Sequence, residues 1–443
     1  MHIGKLIYRY LYKIIQYIFM FLRKFLNSIS HKSSFIFVFA DQVIVSMGNF
    51  LLTILIVKFL GIKTFGLFSY FWIFLLLINS IQLSYIISPM LTNAPKQRDS
   101  IVSHFYGGVF YQQLLFSIIT SFSIFFVLKF FGNFIISSSI SNYCLSFSLM
   151  IILTQLQQFL RRLLFSKRLF LRPVISDLCT YLFLISFISY LNYLNKLDLG
   201  MIFWAFVFSF AIGTIISVPV IFSLNYKFKN MYTSIKKNWI IGKWMLLTSL
   251  VQWFAGNLWI VNAGLILGAY TLGVIRACQS LVNVANLLFQ SLENIVPRKT
   301  SKIFKLGDTN NMRIFLKKFS LKGTFIVILM SFIIILFSKF LLNIFYGTQM
   351  VKHYQILVFL SLILPLTFLQ FPSMYGLRTM GKTKPIFISF LSSAVIAILF
   401  SNIVITYFGL NGLIIGLFFH QLIISSFIYI GYIYYLKKFK NET

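Results

Sequence analysis

The sequence predicts an all-α polytopic membrane protein of about twelve transmembrane helices, built as two repeats of six. Three observations carry this prediction. The 443 residues are 59% hydrophobic and only 10% charged, against about 25% charged in soluble domains, so the chain lacks the polar surface that water demands. Apolar runs of about 20 residues, each long enough to cross a bilayer as a helix, recur along the whole length. Short segments alternating at period two, the mark of an outer-membrane barrel, are absent.

The spans read as 35–57, 67–91, 104–128, 143–164, 174–194, 200–222, 244–266, 270–296, 322–345, 354–376, 386–407 and 410–435. The largest connections, 223–243 and 297–321, are too short to fold as domains. Of the 39 Lys and Arg, 32 fall on the side of the N-terminus and six on the opposite loops, at Lys58, Lys63, Lys129, Lys196, Lys339 and Lys352. Arg276 is left as the one cation inside a span. The positive-inside rule then puts both termini in the cytoplasm of an inner-membrane protein. It also absorbs the formal net charge of +32, a value that otherwise points to nucleic acid, and no nucleic-acid partner is expected.

Ahead of span 1, Lys5, Arg9, Lys13 and Gln16 form one polar stripe on a segment otherwise rich in Ile, Leu, Phe and Tyr. The run from Ile14 to Leu22 is too short to span, and no small-residue cleavage site follows it. Residues 1–32 are expected to lie on the inner leaflet as a cationic amphipathic helix. A disordered basic tail is the other reading. The three cysteines, Cys144, Cys179 and Cys278, sit in separate apolar segments without CxxC or Cys/His spacing. Neither a disulfide framework nor a zinc site is indicated, and no cofactor is expected.

A repeat is legible. Leu60-Gly61-Ile62-Lys63-Thr64-Phe65-Gly66 matches Leu267-Gly268-Ala269-Tyr270-Thr271-Leu272-Gly273 at an offset of 207. The span after each ends in proline, Pro89 and Pro297. Gln158-Phe159 before Pro173 matches Gln370-Phe371 before Pro385 at a constant offset of 212. The organisation expected is an N-terminal lobe (33–222), a cytoplasmic linker (223–243), a C-terminal lobe (244–436) and a cytoplasmic tail (437–443). An even number of spans per half makes the repeats parallel, with the substrate site between the lobes.

Catalysis has little to work with. Asp198 and His353 on the outer loops, and Asp99 and Asp308 on the inner ones, are isolated, and GxSxG, Walker and HExxH motifs are absent. An ionisable group in hydrocarbon costs at least ~2.5–3.5 kcal/mol and faces protein or a wet cavity. In span 8, Arg276, Gln279, Asn283, Asn286, Gln290 and Glu293 step by three or four residues, covering an arc of about 100° over about 26 Å. The stripe reads either as the wall of a water-filled cavity or as interhelical hydrogen bonding. In span 1, Gln42, Ser46, Asn49 and Thr53 share a stripe with Asp41 at its edge. Asp41 lies near the inner end of its span and Arg276 near the outer end of its own, so the two are not expected to pair. The alternative for Asp41 is a structural pairing with a neighbouring helix. Asp177, close to Arg172, reads as locally paired. His420 beside Gln421 reads as a helix-packing hydrogen bond.

These residues carry a resemblance. Asp41-Gln42 opening span 1, the Leu-Gly-x-x-x-x-Gly step into spans 2 and 8, and Gly273-Val274-Ile275-Arg276-Ala277-Cys278-Gln279-Ser280-Leu281 followed by Glu293-Asn294-Ile295-Val296-Pro297 resemble the polysaccharide transporters of the multidrug/oligosaccharidyl-lipid/polysaccharide (MOP) exporter superfamily. Within that superfamily the last of these segments resembles Wzx-type O-antigen and exopolysaccharide flippases, and the likeness covers roughly residues 35–435. The resemblance implies a MATE-like fold, two six-helix lobes with alternating access, and a cationic central cavity to which Arg276 contributes. It implies an undecaprenyl-pyrophosphate-linked oligosaccharide as substrate, with membrane lipids, a polysaccharide polymerase and glycosyltransferases as partners. Gln279, Asn283, Asn286, Gln290, Gln42 and Asn49 are the further substrate-binding candidates, and Asp41 and Glu293 the ion-coupling ones. Where many relatives have an acid late in span 7, this chain has Asn262. The rival reading is a cation-coupled small-molecule exporter of the same fold.

Overall fold

The structure, a computed structural model, describes residues 32–97, 99–135, 140–225, 228–305 and 309–442. The amphipathic helix expected over residues 1–32 lies, but for its last residue, outside the described residues. Every regular element among those described is helical. The long helices are α1 (Lys32–Gln82), α3 (Asp99–Ile135), α4 (Cys144–Ser166), α5 (Leu171–Tyr193), α6 (Leu199–Ser217), α7 (Phe228–Lys305), α8 (Thr309–Leu336), α11 (Tyr354–Thr379) and α12 (Lys384–Glu442). Short helices complete the order, with α2 (Ser88–Asn93) after α1, and α9 (Ser338–Tyr346) and α10 (Thr348–Val351) between α8 and α11.

Nine of the described helical stretches are long and apolar enough to cross a membrane. The chain is a multi-pass membrane protein. Three of the nine exceed 50 residues, far more than the roughly 20 that a bilayer needs. Each is broken at one glycine outside the helical region: Gly61 (φ 80°, ψ 167°), Gly268 (φ 87°, ψ 167°) and Gly409 (φ 55°, ψ −132°). Positive φ is open to glycine and costly to other residues. The breaks fall where the sequence separates spans 1 from 2, 7 from 8, and 11 from 12.

The repeat is visible in atomic detail. Gly61 and Gly268, equivalent at an offset of 207, share one backbone conformation. Gly66 and Gly273, equivalent at the same offset, pack against each other. A Cβ on Gly66 would stand 1.7 Å from the Ala269 carbonyl oxygen and 3.1 Å from the Gly273 nitrogen. A Cβ on Gly273 would stand 2.2 Å from the Ile62 carbonyl oxygen and 3.1 Å from the Gly66 nitrogen. Ile62 and Ala269 are themselves repeat equivalents, so each half gives the other the same contact. Small residues let membrane helices approach backbone to backbone, and here they join α1 to α7 just past the two breaks.

Overpacking such a contact costs about 1–3 kcal/mol. Gly66→Ala and Gly273→Ala are therefore expected to lower the thermal midpoint of the purified protein by several degrees. Gly256→Ala, where a Cβ meets nothing within 4 Å, leaves it in place. Equal midpoints for all three variants would remove the contact from the account.

The prolines do not end their helices as the sequence reading has it. Pro89 stands at the start of α2, directly after a π-helical turn at Leu83–Ile87 in one continuous helical run, and π adjustments let a membrane helix carry a proline. Pro297 lies within α7, which continues to Lys305. Just past it the Thr300 hydroxyl donates back to the carbonyls of Val296 and Pro297 at 3.1 and 2.9 Å, and membrane helices tolerate an interior proline. The segment read as a linker, 223–243, is helical from Phe228 and continuous with span 7.

The largest apolar core joins both halves. Phe68, Phe71, Phe147 and Phe203 of the first half share it with Val274, Leu281, Leu357 and Phe368 of the second. Separate clusters lie in the first half around Met90, Phe159 and Leu163, and in the second around Met374, Tyr375 and Ile428.

Candidate functional site

The residues singled out in spans 1 and 8 occupy different settings. On α7, Arg276 is half-buried, and its Nη1 donates to Gln279 Oε1 at 3.1 Å. That bond runs along the stripe, from residue i to i+3 on one helix face. Nε and Nη2 of the same guanidinium are shielded from solvent and meet no acceptor among the described residues. These two nitrogens form one edge of the planar fork, with parallel N–H groups that match two oxygens of a carboxylate or phosphate. Asn283, two turns on, is exposed. The stripe thus opens toward the end read as cytoplasmic. The side chains of Asn286, Gln290 and Glu293 lie outside the described residues.

On α1, Gln42 donates to Ser46 at 3.4 Å, and Thr53 caps the Asn49 carbonyl at 3.0 Å. Asn49 Oδ1 accepts from the Tyr181 hydroxyl of α5 at 3.3 Å. Gln42 and Asn49 remain half-exposed. Span 1 and span 8 therefore each present neutral polar groups that are not buried.

Asp41 points elsewhere. It is buried, and Arg161 of α4 grips its Oδ2 through Nε at 2.8 Å and through Nη2. The same guanidinium stands 2.9 Å from Asp177 Oδ2 of α5. Gln157, one turn before Arg161, donates to Asp177 Oδ1 at 3.1 Å and to Thr180 at 2.9 Å. Ser176 beneath them donates to the Gly213 carbonyl of α6 at 2.8 Å. One arginine thus bridges two carboxylates at the meeting point of α1, α4, α5 and α6. Asp41 Oδ1, Asp177 Oδ2 and Gln157 Oε1 accept no hydrogen bond from any described residue.

Two sequence expectations are corrected here. Arg161 and Arg162 lie within α4, not in the loop where the sequence count put them, so Arg276 is not the one cation in the spans. Asp177 pairs with Arg161 across helices rather than with Arg172, which is exposed. A buried charge finds its partner in space, and Arg161 stands about 7.5 Å inside the end of α4 at Ser166.

Several other polar residues have structural partners. His420 Nδ1 lies 2.6 Å from Ser393 Oγ, and Gln421 donates to Gln370 at 3.3 Å. Asn262 donates to Ser401 at 2.6 Å. Asp198 caps α6 by accepting from the Met201 amide at 2.6 Å. His353 Nε2 lies 3.1 Å from the Tyr270 hydroxyl, and burial together with the charge of Lys352 holds its imidazole below the usual histidine range. Among the described residues no group of three His, Cys, Asp or Glu stands ready for a metal.

The architecture and the sequence lead to one family. Residues 55–353 match the family of polysaccharide biosynthesis proteins, and the chain belongs to that family. No curated protein sequence matches it. Among solved structures it resembles a multidrug resistance MATE family transporter of the MOP superfamily in an inward-facing conformation. That match has a TM-score of 0.72 at 11% identity, over 93% of this chain and 97% of that one. A MOP superfamily transporter from Pyrococcus furiosus gives 0.68 at 12% identity over 92% and 96%. The lipid II flippase MurJ, in an inward closed conformation, gives 0.70 at 15% identity over 89% and 86%. The fold is one shared with these MOP superfamily transporters and with that flippase.

Proposed function

We propose that this protein is a flippase that carries a lipid-linked oligosaccharide, anchored on undecaprenyl pyrophosphate, across the inner membrane for surface polysaccharide synthesis. It works by alternating access between lobes at residues 33–222 and 244–436, each of six spans, with both termini cytoplasmic. The observation that carries the reading is the free edge of Arg276. Two shielded N–H groups with no acceptor among the described residues, beside a stripe of neutral amides, form a receptor for a pyrophosphate oxygen pair. Gln279, Asn283, Asn286, Gln290, Gln42 and Asn49 supply donors and acceptors for the sugar. The polyprenyl tail stays in lipid and needs no pocket. A polymerase and glycosyltransferases stand after and before it in such a synthesis. Ion coupling is assigned to Asp41, on the support of its Oδ1, which accepts no hydrogen bond from any described residue, and to Glu293 from its place on the stripe.

The direct test is binding. Purified protein is expected to bind a fluorescent polyprenyl pyrophosphate, and Arg276→Ala to weaken it at least tenfold, since a hydrogen bond to a charged group contributes about 1.5–3 kcal/mol. Undiminished binding rejects the assignment. Orientation is tested separately. Cysteines at Lys63, Lys129 and Lys339 are expected to react with an impermeant thiol reagent outside intact cells, and those at Arg168, Lys237 and Lys305 only after permeabilisation. Labelling of Lys237→Cys in intact cells would overturn the arrangement.

A further inference from the structure

The first arm of α7 runs unbroken from Phe228 to Gly268. At 1.5 Å per residue it is about 60 Å long, about twice the ~30 Å hydrocarbon core. Its opening turns therefore extend beyond what a span uses. One side of them is fastened to the first half of the protein. Ser234 and Asn238 are fully buried. Ser234 donates to the Phe105 carbonyl at 3.3 Å, and Asn238 donates to Gln112 at 3.1 Å while accepting from Asn93 at 3.3 Å. Deeper along, Ser249 donates to Ser84 at 2.9 Å, against the π-helical turn.

The other side faces away from protein. At 100° per residue, Tyr232, Lys236, Trp239, Ile240, Lys243 and Leu247 share an arc of about 100°, opposite Ser234, Asn238 and Gly242. Tyr232 is 71% exposed, Ile240 65% and Trp239 49%, and both lysines are exposed. No described carboxylate pairs with Lys236 or Lys243. Trp and Tyr favour the level of lipid headgroups. Lysines interleaved with them add attraction to an anionic surface, about 1 kcal/mol each.

We propose that this aromatic–lysine face of α7, from Tyr232 to Leu247, is a docking surface for anionic phospholipid of the inner leaflet. It moors the connection between the two lobes to the headgroup layer, on a helix already pinned to α2 and α3. Two features select a membrane over a soluble partner: the stripe is continuous with a membrane span, and its cations alternate with interfacial aromatics. The assignment to the inner leaflet rests on the orientation proposed above. Contact with lipid does not, so the thiol-labelling experiment and the following one fail independently.

The test uses the full chain in nanodiscs of phosphatidylcholine with a graded fraction of phosphatidylglycerol. An environment-sensitive dye is placed at Ile240→Cys, with Cys144, Cys179 and Cys278 replaced by serine or alanine. The dye is expected to be quenched by brominated lipid, and lipid retained through purification to be enriched in phosphatidylglycerol. Lys236→Gln with Lys243→Gln is expected to reduce that enrichment about thirtyfold at these sites, the equivalent of about 1 kcal/mol per lysine. Lys236→Arg with Lys243→Arg retains it, which separates lost charge from misfolding. A dye that stays in water at every lipid composition overturns the proposal and leaves the face to a soluble partner. Quenching with unchanged lipid preference in the glutamine variant overturns the role of the lysines.

Discussion

Arg276→Ala is expected to abolish surface glycan while leaving the protein in the membrane near its normal level. The two halves of that result have separate physical grounds. Loss of transport follows from removal of both N–H groups of the free edge, each worth about 1.5–3 kcal/mol to a charged acceptor. Retention of protein follows because no described carboxylate depends on Arg276. Its one described partner is the neutral Gln279. Arg276→Lys keeps the charge but loses the planar fork, and partial transport is expected. Surface glycan and membrane protein level must be measured together in one strain. Normal glycan with normal protein rejects the role of Arg276 in binding. Loss of both indicates that Arg276 holds the fold.

Arg161→Ala gives the opposite pattern, with the protein itself lost. Removing this guanidinium leaves Asp41 and Asp177 buried, 1% and 3% exposed, without an ion-pair partner among the described residues. Breaking a buried pair costs roughly 3–5 kcal/mol, a large share of the ~5–15 kcal/mol that holds a protein folded. Membrane level and thermal midpoint are both expected to fall steeply. Replacing the cluster as a unit, with Arg161→Met, Asp41→Asn and Asp177→Asn together, is expected to restore much of the level, because an uncharged replacement strands nothing. Transport in the restored protein then reports on ion coupling through Asp41. Wild-type abundance of Arg161→Ala alone would show that the cluster contributes little to stability.

The contrast between the two arginines also marks how far the sequence can be read. Arg276 and Gln279 lie on one helix, so their contact follows from periodicity alone. Gly61, Gly268 and Gly409 were placed between spans by hydropathy, and the backbone breaks there. Arg161, Asp41 and Asp177 sit on three helices, and no spacing connects them. Arg161 was also hidden by its company, since Arg162, Lys167, Arg168 and Arg172 follow it and the group reads as a basic loop. A signal was nevertheless present: Gln157 and Arg161 stand four apart, and two span aspartates in a chain with only 7 acids each demand a partner. The π-helical turn before Pro89 and the continuation of α7 past Pro297 are not legible in the same way, because a proline in a helical pattern reads as an end.

The seam between Gly66 and Gly273 also sets an order of events during synthesis. The first glycine edge enters the membrane before its counterpart exists, and at roughly 5–20 residues per second it waits on the order of 10–40 s for the second to follow. Throughout that interval the nascent first half carries this edge without the partner it meets in the folded chain, open to contacts with neighbouring chains. Tethering both edges on one polypeptide fixes their ratio at one to one and places the right partner within reach as soon as span 8 inserts. Competition from other ribosomes is thereby confined to the time before residue 273 leaves the translocon.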